Sequence, residues 1–200
     1  MEVAVIRDIG HAIFSHLKQH WLLYTCLIVV LVIGLIIGSM APRWLTQDSQ
    51  DQMATYIGNY LDNISQVVSD SWHQTQTFFI INGLCIGALF FFGMHLLGIP
   101  FILMILFVRG FTIGYAYTVI SQAGSWPLLF IMLPINIIII VLLLVAAAVS
   151  IRYCRNIYAL GVNFRVNLHY AARLLLLLAI VAVCALFNGY IMPILVSIVV

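Results

Sequence analysis

Residues 127–151 read PLLFIMLPINIIIIVLLLVAAAVSI, without one charged side chain. As a helix rising 1.5 Å per residue, such a run exceeds the ~30 Å hydrocarbon core of a bilayer. Its only strongly polar side chains are Asn136 and Ser150, too few for a wetted face. The stretch therefore reads as a membrane-spanning helix. Working outward, residues 21–41, 77–97, 100–120 and 174–200 carry similar apolar runs. The fold class expected is all-α: a polytopic membrane bundle of five transmembrane helices forming one domain over residues 1–200.

Composition supports the same class. Hydrophobic residues make up 64% of the chain and charged residues 7%, against about 25% charged in an ordinary soluble domain. Mean hydropathy is +1.17. Too few charges remain to coat a water-soluble particle, so the lipid bilayer is the expected solvent. No basic and aromatic patch suggests nucleic acid as a partner. Cys26, Cys85, Cys154 and Cys184 lie within or beside apolar runs, at spacings that fit neither a disulfide framework nor a zinc site; they read as small packing residues.

The few charges orient the chain. Arg7, Lys18, Arg152, Arg155, Arg165 and Arg173 share one side if the N-terminus and the 152–173 connection do, leaving Arg43 on the other. The positive-inside rule then places the N-terminus in the cytoplasm and the C-terminus outside, in the cytoplasmic membrane of a bacterium. Trp21, Trp44, Trp72 and Trp126 lie at or near expected helix ends, where amphipathic rings favour the headgroups. Ser39-Met40-Ala41 looks like a signal-peptide cleavage triplet, but the apolar stretch exceeds the roughly 7–15 residues of an h-region, so a retained helix is expected. The uncharged link Leu97-Gly98-Ile99-Pro100 leaves two readings for the second and third helices, two crossings or a shallow hairpin.

Segments outside the spans also have pattern. Residues 1–20 form an amphipathic cytoplasmic segment, with Val3, Ile6, Ile13, Phe14 and Leu17 at helical spacing. The extracytoplasmic loop 42–75 contains a second amphipathic helix, 53–68. Its apolar face carries Met53, Tyr56, Ile57, Tyr60, Leu61 and Ile64, and it has no Lys or Arg to seek anionic lipid. This face either covers the protein's own outer mouth or docks an extracytoplasmic partner. The basic connection 152–173 is expected at the cytoplasmic interface.

Gly34-x-x-x-Gly38, Gly83-x-x-x-Gly87 and Gly110-x-x-x-Gly114 fall in the first three helices. Glycines four apart let helix backbones approach closely, either within the chain or in an oligomer. Arg109 lies within the third helix, and no Asp or Glu occurs in any span to pair with it. A mid-membrane charge is costly, ~2.5–3.5 kcal/mol on insertion scales. Its available partners are neutral: Asn82, Asn136, a backbone carbonyl freed by Pro134, or an outside anion. Arg109 is accordingly either a structural anchor or an anion- or partner-facing group. Pro134 cannot donate to the Phe130 carbonyl and is expected to kink the fourth helix. No catalytic set, metal-ligand cluster or cofactor-cradling loop is evident, so no enzyme activity and no cofactor are expected.

Phe107-Val108-Arg109-Gly110-Phe111-Thr112-Ile113-Gly114 followed by Leu133-Pro134-Ile135-Asn136 resembles the stage II sporulation protein M (SpoIIM) family. His16-Leu17, Tyr24 and Gly34-x-x-x-Gly38 are similar as well, and the likeness runs over nearly the whole chain. It implies a membrane scaffold that recruits two peptidoglycan-degrading sporulation proteins, D and P, at the septum during engulfment. A transporter or channel component for an anionic or lipid-linked solute is the alternative, with Arg109 as its binding charge.

Overall fold

A computed structural model describes residues 21–44, 52, 55, 71–95, 97–122, 126–160, 164–192 and 194. Helix α1 covers Trp21–Met40 and continues into a 3-10 turn, Ala41–Trp44. Helix α2 is Ser71–Phe92 and α3 is Gly98–Gln122. Helix α4 is Trp126–Leu160, and α5, Phe164–Leu186, ends in a π-helical turn, Phe187–Ile191. Among the described residues, five helices are long and apolar enough to cross a membrane. Lipid offers no hydrogen-bond partner, so a chain this apolar must satisfy its backbone within helices.

Helix α4 is the centre. Ile139, Leu143, Ala146, Ala147, Ala148 and Cys154 are almost fully buried, and α1, α2, α3 and α5 all pack on this helix. The alanine run admits neighbours at short range where bulkier residues would hold them off. The outward surface is apolar: Leu84 is 68% exposed and Phe130 71%. Such a surface would aggregate in water and is the right polarity for lipid. All four tryptophans are exposed, and each stands on the first or second residue of a helix or on the last of the 3-10 turn.

The turn joining α2 to α3 satisfies its own backbone. Gly93 donates to the Leu89 carbonyl at 3.0 Å, His95 to that of Phe92 at 3.2 Å, and Gly98 to that of His95 at 2.9 Å. Gly98 has to be glycine, because a Cβ there would lie 1.8 Å from the Phe92 carbonyl oxygen. Both helices of this hairpin have membrane-spanning length.

Several expected boundaries shift. Helix α2 begins at Ser71, not 77, and ends at Phe92, not 97. Helix α4 runs on to Leu160 and α5 begins at Phe164, so the expected 152–173 connection is almost entirely helix. Hydropathy stops where the arginines begin, whereas the backbone stays helical past Arg152 and before Arg173, as long basic side chains at span ends allow. Cys26 corrects the packing expectation: it is exposed, whereas Cys154 and Cys184 are buried. The amphipathic segment 1–20 and the face Met53, Tyr56, Ile57, Tyr60, Leu61 and Ile64 lie outside the described residues.

Candidate functional site

Helices α1 and α3 meet through their glycines. A Cβ at Gly34 would stand 2.3 Å from the Phe107 carbonyl oxygen, and one at Gly38 2.1 Å from that of Phe111. In return, a Cβ at Gly110 would stand 2.2 Å from the Leu31 oxygen and at Gly114 2.2 Å from that of Leu35. Contacts that advance together along both chains make this a parallel pair, backbone against backbone. Gly83 and Gly87 behave otherwise: the nearest atom to a Cβ at Gly83 is a Leu178 methyl at 3.6 Å, and Gly87 has nothing within 4 Å. The third motif therefore closes no tight interface within the described chain.

This pairing fixes the side of α3 that carries Arg109. The guanidinium Nη2 donates to Asn82 Oδ1 on α2 at 2.8 Å. Asn82 is buried, and its Nδ2 donates to the Phe78 carbonyl at 2.8 Å, which holds the amide with its oxygen toward the arginine. Nε of Arg109 is buried and has no hydrogen-bond partner. Asn136 does not join them. Its Nδ2 donates to the Met132 carbonyl at 3.1 Å and to Tyr117 Oη at 3.4 Å. Of the partners open to Arg109, Asn82 is the one engaged, and the polar pairs form two separate clips, α2–α3 and α3–α4. Helix α4 is continuous through Pro134.

A third polar cluster escaped sequence reading. Tyr170 on α5 donates to the Phe90 carbonyl at 2.9 Å and lies 3.2 Å from Ser150 Oγ on α4. Its ring stacks on Tyr153 at 3.6 Å, and Tyr153 donates to Asn167 at 2.5 Å. Gly93 makes room for it, since a Cβ there would fall 2.4 Å from the Tyr170 hydroxyl. Ser150 after three consecutive alanines and a valine was the available signal, but its partners lie in the stretch read as a connection. Tyr170→Phe should lower stability by about 1–3 kcal/mol, because the Phe90 carbonyl keeps no side-chain donor and the hydroxyl is lost from a buried site. Thermal unfolding in detergent checks this; an unchanged midpoint would assign the cluster to shape alone.

Chemically, one cluster pairs a guanidinium with a neutral amide, and the other two are neutral donors and acceptors. Among the described residues, no three His, Cys, Asp or Glu side chains come together to hold a metal ion. Each clip ties neighbouring helices to one another, and the Tyr170 bond to Phe90 also joins α5 to α2.

Five membrane-length helices pinned by glycine contacts and interior polar pairs define a multi-pass helical membrane protein. The chain belongs to the stage II sporulation protein M family, which it matches over residues 25–193. It is thus a sporulation-related membrane protein. No curated protein and no solved structure gives a significant match.

Proposed function

We propose that the protein is a non-enzymatic scaffold that holds peptidoglycan-remodelling proteins at the outer face of the cytoplasmic membrane. In this reading its partners are the peptidoglycan-degrading sporulation proteins D and P, gathered at the septum during engulfment. The observation that carries the reading is the use of polar side chains as ties between helices: Arg109 with Asn82, Asn136 with Tyr117, and Tyr170 with Ser150 and Phe90. Polar groups held in this way make a rigid platform, and family membership supports a role in sporulation. The N-terminus is placed in the cytoplasm, which puts loop 42–75 outside with the cell wall.

A carrier for an anionic or lipid-linked solute would also use Arg109. However, the groove beside Arg109 is bordered by Met104 and Val108, both exposed on the outer surface, so it opens sideways. That favours a partner over a permeation route. Purification of the full chain from native membranes in mild detergent should bring down a peptidoglycan hydrolase. Recovery of the chain without one would count against the scaffold.

A further inference from the structure

Between α2 and α3 the surface holds a groove of about 330 Å³, bordered by Ile81 and Cys85 on one side and Met104, Val108 and Thr112 on the other. The stacked rings of Phe92 and Phe101, 4.9 Å apart, close the end nearest the turn. Arg109 lines the same groove. It lies near the middle of the 25-residue α3, ~16 Å from Gly98 at 1.5 Å per residue.

Only one hydrogen bond engages the Arg109 guanidinium among the described residues, the one to Asn82, and its Nε is unsatisfied. Asn82 is neutral, and the chain has no Asp or Glu anywhere from residue 71 to residue 200, nor from 21 to 44. A guanidinium at this depth calls for an anion. Phospholipid phosphates lie at the interface, far from mid-span. A second copy of this chain brings no acid in these helices either, so self-association leaves the charge uncompensated.

We propose that this groove docks a transmembrane helix of another protein, and that an Asp or Glu near the middle of that helix pairs with Arg109. The inference rests on the scaffold reading and says where a membrane-anchored partner would bind. The groove borders follow helical spacing, Ile81 with Cys85 and Met104 with Val108 and Thr112, so an apolar helix can lie along them. The carboxylate then supplies specificity, because it reaches the one charge available at that depth.

The test uses the full chain in phosphatidylcholine nanodiscs with labelled single-span Leu/Ala peptides carrying one central Asp, Asn or Leu, association being read by energy transfer. The Asp peptide should bind about tenfold or more tightly than the other two. The advantage should vanish in Asn82→Leu/Arg109→Leu, and also in Met104→Trp, which fills the groove and keeps the arginine. Equal binding of the Leu peptide, or an Asp advantage that survives both variants, would overturn the proposal. Oleate binding there at least as tightly as the Asp peptide would overturn it in favour of a lipid carboxylate. If a hydrolase still co-purifies with both variants, the groove assignment fails and the scaffold reading stands. If the Asp peptide binds but no hydrolase ever co-purifies, the scaffold reading fails alone.

Discussion

Gly110→Leu is expected to lower the melting midpoint of the purified protein in detergent by about 10 °C or more, or to stop its accumulation in the membrane. The atom that a Cβ would meet, 2.2 Å away, is the Leu31 carbonyl oxygen. A backbone oxygen inside a helix cannot rotate aside as a side chain can. Relief requires α1 and α3 to move apart, and that motion also opens the contacts at Gly34, Gly38 and Gly114, which belong to the same interface. Lipid supplies no hydrophobic force to pull the helices back, so lost dispersion contact is not replaced. Gly87→Ala is the matched control. Nothing lies within 4 Å of its Cβ position, so stability should hold or rise slightly with the better helix former. An unchanged midpoint for Gly110→Leu would contradict the parallel glycine contact.

The second large effect is at Asn82. Asn82→Leu should destabilise the protein by about 2–3 kcal/mol, since a guanidinium near mid-span loses its one interhelical acceptor among the described residues. Adding Arg109→Leu, which removes the charge from mid-span, should restore most of that loss. Removing both members of a buried polar pair leaves no unsatisfied group, and apolar replacements can pack as well as the pair did. The coupling should be about 1–3 kcal/mol in a double-mutant cycle. Additive losses would show that the two side chains do not act as a pair.

The five helices were legible because length and apolar content nearly suffice in a bilayer, where the backbone must bond within its own segment. Their ends were less so. Hydropathy cut α4 before Arg152 and α5 after Arg173, although arginines at helix ends remain helical. The glycine motifs could be seen but not matched. Gly83-x-x-x-Gly87 has the same spacing as the other two, and only the arrangement of helices leaves it without a close neighbour. Arg109 and Asn82 were both singled out, yet several neutral partners stood open for the arginine. The tight turn decides between them, because Asn82 and Arg109 lie at nearly equal distances along the chain from Phe92 and Gly98, and so at one depth. Asn136 lost the competition to Asn82 because its amide turns to Tyr117. The Tyr170 cluster joins residues from α2, α4 and α5 that no local pattern connects.

As a proposed scaffold, the chain should hold hydrolases without being one. The most direct test tags the full chain, purifies it from native membranes in digitonin, and assays the eluate on purified peptidoglycan before and after washing in a harsher detergent. Hydrolase activity is expected in the first eluate. The wash should carry that activity away with the partner proteins and leave the chain inactive. Activity that stays with the chain after every other protein has been removed would contradict a scaffold role and make the chain itself a hydrolase.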